Sequence, residues 1–193
     1  KNQDFGSAGD FPALVAALHQ SNVAAHPHWC VATLYFELAD RYWKILKREP
    51  GLIGPVLERM CGPYGLTNPH PTLRGRTCFL LKSLVRHLGT AMAPFASTVL
   101  HGVRDLLFAG TMDPADMAHL FELASLLISS AALDPPTQTA HLDAMVQPVL
   151  ASIEELLQAG SVQGDTHDIG ERFAMKLTFL AYLTKGSTKP VAH

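Results

Sequence analysis

Apolar residues recur at intervals of three and four along almost the whole of this 193-residue chain. That spacing places them on one face of an α-helix, and no strict apolar and polar alternation is long enough to indicate a strand. The most apolar segment, 120–133, still contains Glu122 and is shorter than the roughly 20 residues that span a bilayer. The pattern predicts an all-α protein without a membrane helix or signal peptide.

Stop signals rich in Gly, Pro, Asn and Asp divide these periodic segments. They predict helices over residues 10–20, 28–47, 52–61, 72–88, 92–109, 114–131, 137–158 and 167–185. Asp113 and Asp134 each precede a proline, and this order is typical of an N-cap followed by the first helical residue.

Prolines at the starts of three predicted helices, Pro27, Pro71 and Pro114, lie 44 and 43 residues apart. This period falls within the roughly 40–47 residues of HEAT and armadillo arrays, and two helices per period favour HEAT. The predicted fold is an α-solenoid superhelix of HEAT repeats, built from antiparallel helix pairs. The repeats are predicted at 27–62, 71–110 and 113–160, after the end of a preceding repeat in 1–26 and before the start of a following repeat in 165–193.

Two of the predicted helices present apolar stripes that would face each other. The first stripe comprises Leu73, Thr77, Leu80, Leu81, Leu84 and Leu88, and the second comprises Met92, Phe95, Val99, Val103, Leu106 and Leu107. Such pairs need stacked neighbours to cover their remaining apolar surface. Because the chain also lacks an initiating Met, we expect a piece of a longer solenoid.

The three cysteines, Cys30, Cys61 and Cys78, are an odd number without C-x-x-C spacing. Each lies in an apolar, helix-like segment, which is typical of a buried thiol. This use of cysteine favours an intracellular, reducing compartment.

Charge is distributed unevenly although the net charge is only −2. Residues 40–104 contain ten Lys and Arg against three Asp and Glu, whereas residues 105–171 contain eleven Asp and Glu and no Lys or Arg. The chain therefore carries a basic and an acidic surface, which bears on its partners rather than on its fold.

Several sequence blocks resemble one family in a consistent order. They are 35–43 (YFELADRYW), 71–88 (PTLRGRTCFLLKSLVRHL), 92–95 (MAPF), 103–107 (VRDLL), 120–128 (LFELASLLI), 146–149 (VQPV) and 179–189 (FLAYLTKGSTK). Together they resemble the middle of the exportin-T family, the tRNA-exporting branch of the importin-β receptors. The resemblance implies a receptor, not an enzyme, that binds tRNA together with Ran-GTP. It also implies shuttling between nucleus and cytoplasm, contact with nuclear pore proteins through the full-length receptor, and no cofactor.

The resemblance and the helix pairing suggest site residues. Arg59 and Arg104 lie near the ends of second helices, which line the concave side of HEAT arrays, so both are nucleic-acid candidates. For each of them, an ordinary solvent-exposed charge is the alternative interpretation. Arg76 is a third candidate, although Arg76, Lys82 and Arg86 are also interpreted as a solvated outer face. Arg74, in the first turn of a first helix, has the place of the family's structural arginine that bonds neighbouring loops. Glu154 and Glu155 either contact Ran or keep the segment soluble.

Catalytic and metal sites are not predicted. His26, His28 and Cys30 are too close together to converge on one tetrahedral zinc ion, and no distant Cys pair completes a set. The other histidines, such as His101 and His119, are interpreted as bystanders. Two alternatives remain: a HEAT scaffold or importin-β-type receptor for protein cargo, and an all-α enzyme with an unrecognised site.

Overall fold

The computed structural model describes residues 11–162 and 166–187. The chain forms two compact units, and the boundary between them in the sequence lies between Phe95 and Ala96. Its α-helices are α1 (Phe11–Gln20), α2 (Trp29–Arg41), α3 (Trp43–Arg48), α4 (Ile53–Cys61), α5 (Pro71–Leu88), α6 (Ala96–Phe108), α7 (Pro114–Ser130), α8 (Pro135–Val162) and α9 (Thr166–Ser187). Three 3₁₀ segments, Val23–Ala25, Pro50–Leu52 and Gly89–Phe95, connect some of them. Because the described residues contain helices and no strand, the predicted all-α class is confirmed.

The first unit contains α1 to α5. Helix α2 packs against α5 and also contacts α3 and α4, while α1 contacts α4. Phe36 of α2, Leu46 of α3, Met60 of α4 and Leu81 of α5 are completely buried. All six residues of the stripe predicted on α5 are buried as well, so helical spacing identified the face on which this helix packs.

Two predicted helices differ from the observed ones. The segment 28–47 is interrupted at Tyr42, which has φ −105° and ψ 28° and separates α2 from α3. The segment predicted at 92–109 begins as 3₁₀ helix containing Pro94, and α6 starts only at Ala96. Proline has no N–H to donate, so the chain around Pro94 lacks one α-helical hydrogen bond.

The second unit contains α6 to α9. Helix α7 contacts α6, α8 and α9, and its residues 120–128 are buried without interruption. Phe121 of α7 stacks on Phe179 of α9 with ring centroids 4.9 Å apart. The buried carboxylate of Glu122 lies 3.8 Å from the Lys185 ammonium of α9. Because α7 is covered by other helices on several faces, apolar residues are needed on more than one of its sides. This accounts for the high apolar content of the segment.

The helix starts agree with the sequence in part. Asp134 caps α8, because its Oδ1 accepts a hydrogen bond of 2.9 Å from the backbone N–H of Thr137. The hydroxyl of Thr137 donates to Oδ2 over 2.8 Å, and these bonds lower the pKa of Asp134. Asp113 occupies the N-cap position of α7 with extended backbone, but its side chain forms no capping bond. Pro27 lies two residues before α2, not at its first turn.

Two interpretations of side-chain exposure were wrong. Lys82 is only 8% exposed and does not belong to a solvated face, because its neighbours on α5 are buried around it. Its ammonium lies 5.9 Å from the ring centroid of Phe79, so the stem is covered while the charge faces an aromatic ring. Among the cysteines only Cys78 is buried, whereas Cys30 and Cys61 are partly exposed.

Residues of the predicted flanking repeats, 1–26 and 165–193, lie partly outside the described part of the chain. Within each unit the helices predicted to pair do meet: α2 contacts α4, and α7 contacts α8. The boundaries of the individual repeats remain predictions. Among the described residues, no helix is both long and apolar enough to cross a membrane.

Candidate nucleic-acid interface

Arg59, in the last turn of α4, is held by the end of α1. Its Nη1 donates to the carbonyl oxygen of His19 over 2.9 Å, and its Nη2 donates to that of Ser21 over the same distance. The guanidinium also lies 5.8 Å from the ring centroid of Tyr35. A cation at the C-terminal carbonyls of a helix is stabilising, so Arg59 fastens α1 to the rest of the unit whether or not it also meets RNA.

The surroundings of Arg59 are buried and shift two pKa values. Burial, followed by the positive charge of Arg59, lowers the pKa of His19 to about 4. Burial raises the pKa of the neighbouring Tyr35, while the Arg59 guanidinium acts in the opposite direction. The His19 and Tyr35 rings meet edge to face at 5.2 Å. His19 is therefore neutral at physiological pH, and both of its ring nitrogens are buried without a hydrogen-bond partner.

Arg74 lies in the first turn of α5 and contacts the loop before that helix. Its Nη1 donates to the carbonyl oxygens of Asn68 and Pro69, each over 3.0 Å. These bonds go to the loop directly before α5 itself, and a role of Arg74 in joining the loops of neighbouring repeats stays a prediction.

Arg76 lies two residues after Arg74 on α5, and it forms an ion pair. Its Nη2 and Nε donate to Oε1 of Glu37 on α2, over 2.8 and 3.0 Å. The guanidinium lies 5.3 Å from the ring centroid of Phe79, which is 44% exposed. Arg76 remains 44% exposed, so a phosphate can reach it. It shares no hydrogen-bond partner with Arg59.

Arg104 belongs to the second unit, on α6. Its Nε and Nη2 donate to Oδ1 of the adjacent Asp105, over 3.2 and 2.9 Å, and its side chain is 39% exposed. Contact between α6 and α8 also brings His141 close enough for Arg104 to lower its pKa, after the larger effects of burial and His101. The sequence interpretation missed this neighbour, because the two residues lie on different helices and histidine was counted as neutral.

Glu154 and Glu155 are adjacent exposed residues on α8. Two exposed carboxylates on one helix are available to a basic partner, and they also suit the alternative of an ordinary solvated surface.

The segment with His26, His28 and Cys30 has a local structural role. The Nδ1 atom of His28 accepts from the backbone N–H of Cys30 over 3.3 Å and caps α2, while Nδ1 of His26 accepts from the N–H of His28 over 3.1 Å. Within the described ranges, no group of three or more His, Cys, Asp or Glu is arranged to hold a metal ion.

Comparison with known proteins identifies the family. The family model of exportin-T matches residues 2–119, which is more than half of the chain. The chain belongs to the exportin-T family. The matched region includes Arg59, Arg74, Arg76 and Arg104 and ends before the acidic pair on α8.

Three exportin-T proteins illustrate the distance of the relationship. The protein from Laccaria bicolor is 30% identical over 171 residues, which cover 78% of this chain and 16% of the relative. Those from Oryza sativa subsp. japonica and Homo sapiens are 24% and 25% identical, over 81% and 80% of this chain and 17% of each relative. The chain thus spans about a sixth of the length of these exportin-T proteins.

Proposed function

We propose that this chain is a segment of a tRNA export receptor that binds tRNA together with Ran-GTP and carries it from nucleus to cytoplasm. The match of residues 2–119 to exportin-T is the observation that carries the proposal. Such a receptor acts by binding, so it is not an enzyme and uses no cofactor. It shuttles through the nuclear pore, and contact with pore proteins belongs to the full-length receptor.

The exposed arginines are the groups that would contact RNA. Affinity for a nucleic acid comes mainly from neutralising phosphates and releasing counterions, which requires several accessible cations. Arg76 and Arg104 meet that requirement, since both guanidinium groups are partly exposed and each is held by one surface carboxylate that a phosphate can replace. Arg59 is a weaker donor to RNA because its two Nη atoms are already bonded to carbonyl oxygens.

The acidic part of the chain would serve the second ligand. Residues 105–171 contain eleven Asp and Glu and no Lys or Arg, so their exposed carboxylates favour a basic partner. We assign Glu154 and Glu155, which are exposed on α8, to the contact with Ran.

A salt titration of tRNA binding tests the proposal. It is carried out on the receptor that carries this segment, with and without saturating Ran-GTP. Binding should depend on Ran-GTP and weaken steeply with salt. The variant Arg76→Gln/Arg104→Gln should flatten the log–log slope by up to about two units, because each lost phosphate contact removes roughly 0.7 to 0.9.

The matched control is Arg41→Gln/Arg172→Gln, which removes the same charge from two exposed arginines outside the proposed interface. An equal effect in this control would contradict a local contact by Arg76 and Arg104. Absence of Ran-dependent tRNA binding in the unmodified receptor would overturn the proposed function and favour a receptor for protein cargo.

A further inference from the structure

Three polar side chains of the second unit, Ser97, His101 and His141, meet where α6 and α8 are in contact. Arg104 of α6 is near enough to act electrostatically on His141. Ser97, His101 and Arg104 follow one another at helical spacing along one side of α6. On α8, Nε2 of His141 lies 3.1 Å from the hydroxyl oxygen of Ser97. The His141 ring meets that of His101 edge to face, with centroids 5.5 Å apart. His101 is exposed, and the other three side chains are partly exposed.

This cluster offers hydrogen-bond donors to an external acceptor. A neutral imidazole and a hydroxyl carry one proton each, and the bond between Ser97 and His141 uses only one of them. Either the Ser97 hydroxyl or Nδ1–H of His141 is left to donate, whichever tautomer is present. His101 contributes a second donor and the Arg104 guanidinium contributes further ones.

The electrostatics of the cluster favour an anion. Burial lowers the pKa of His141, and the proximity of His101 and Arg104 lowers it further. These groups therefore resist another positive charge in their midst, and a bound anion would relieve that repulsion. Asp105 binds the outer side of Arg104 and is the carboxylate with which the anion would compete.

We propose that Ser97, His101, Arg104 and His141 form a binding site for one phosphate of the tRNA backbone. The inference rests on the proposed function, because that function supplies the phosphodiester. It extends the RNA-binding candidate Arg104 by three further residues. His101, which the sequence analysis treated as a bystander, becomes a residue that contacts the phosphate. The two non-bridging oxygens of a phosphodiester can accept hydrogen bonds from donors on both helices.

The test measures tRNA affinity of the receptor that carries this segment, with saturating Ran-GTP, after the double substitution His101→Phe/His141→Phe. We expect the dissociation constant to rise about tenfold, because each lost hydrogen bond corresponds to roughly twofold to twelvefold in affinity. His167→Phe is the control, since this histidine of the same unit is 80% exposed and lies on α9. The control should leave affinity unchanged.

A footprint on the unmodified receptor gives a second measurement that does not depend on the folding of variants. Diethyl pyrocarbonate modifies exposed imidazoles, and bound tRNA should protect His101 and His141 while His167 stays reactive. The proposed site would be overturned if the double variant bound tRNA with unchanged affinity. Equal reactivity of His101 with and without tRNA would overturn it as well. If the unmodified receptor does not bind tRNA at all, the proposed function itself fails. Protection by Ran-GTP alone would assign the site to a protein and overturn the phosphate assignment.

Discussion

The guanidinium of Arg59 lies 2.9 Å from the backbone carbonyl oxygen of His19, which is forty residues earlier in the chain. The same group reaches the carbonyl oxygen of Ser21 just beyond the end of α1, so one side chain of α4 bonds one carbonyl in the last turn of α1 and one directly after it. Helix ends leave carbonyl groups without helical partners, and a cation placed there also complements the helix dipole. This arrangement makes Arg59 a structural residue before any question of RNA arises.

Replacement of Arg59 by Gln should therefore destabilise the first unit. We expect the free energy of unfolding to fall by about 2 kcal/mol, since hydrogen bonds that involve a charged group contribute roughly 1.5 to 3 kcal/mol. Urea denaturation measures this change. Amide hydrogen exchange in the variant should be faster than in the unmodified chain, and the increase should be larger in α1 than in α5. Arg41→Gln is the matched control, because Arg41 is an exposed arginine at the end of α2. Equal stability of the two variants would contradict a structural role for Arg59.

Burial of His19 should make the first unit sensitive to acid. Its pKa is about 4 in the folded protein and 6.5 in an unfolded chain, so between these values the unfolded state binds the additional proton. Stability is full above about pH 6.5 and falls as the pH drops towards 4, by roughly 3 kcal/mol in total.

Urea unfolding at pH 7.5, 6 and 5 checks this expectation with the variant His19→Gln. The variant should lose less stability than the unmodified chain over this range, because glutamine does not titrate. His26→Gln replaces an exposed histidine of the same unit and should retain the full dependence on pH. A parallel pH dependence in all three proteins would show that burial of His19 is not responsible.

Sequence periodicity was sufficient to predict the bounds of a helix where capping residues mark both of its ends. Helix α5 begins at Pro71 and is followed by Gly89, whose φ of 55° suits glycine. The predicted range of 72–88 differs from it by one residue. The interruption at Tyr42 was not predicted, because neither glycine nor proline marks it. There the Tyr42 ring packs edge to face on Phe11 at 5.0 Å, so tertiary contact takes the place of a local signal.

The candidate site was less predictable than the helices. Arg59, Arg76 and Arg104 were found from charge and helix position, but their partners were not. The carbonyl of His19 and the carboxylate of Glu37 lie about forty residues away from the arginines that bind them. Such partners are fixed by the packing of one helix against another, and charge counting along the sequence contains no information about that packing.

Glu37 should compete with RNA for Arg76. If Arg76 contacts a phosphate, Glu37→Gln removes the carboxylate that holds it and should raise tRNA affinity by up to about fivefold, since exposed ion pairs contribute at most roughly 1 kcal/mol. Glu58→Gln removes the same charge from an exposed position on α4 and controls for the overall change in potential. Addition of Arg76→Gln to the Glu37→Gln variant should abolish the gain. An identical gain in both single variants would assign it to net charge alone.

Charge reversal at Glu154 and Glu155 should affect Ran-GTP binding without directly affecting tRNA binding. These residues lie 13 and 14 positions after His141 on α8, which corresponds to about 20 Å along the helix. At that distance, salt screens most of their effect on a phosphate near His141, because the Debye length is about 8 Å at physiological ionic strength. The variant Glu154→Lys/Glu155→Lys should therefore weaken Ran-GTP binding, while tRNA affinity at saturating Ran-GTP stays within about twofold of the unmodified receptor.

At limiting Ran-GTP the same variant should also lose tRNA affinity, because two ligands that favour one conformational state strengthen each other by the same factor. Titration of tRNA at low and at saturating Ran-GTP distinguishes this coupling from a direct contact. Glu171→Lys, an exposed carboxylate on α9 of the same unit, is the control for charge reversal elsewhere. Unchanged Ran-GTP affinity in the Glu154→Lys/Glu155→Lys variant would leave these carboxylates as part of a solvated surface. A loss of tRNA affinity that persists at saturating Ran-GTP would instead place the RNA against this end of α8.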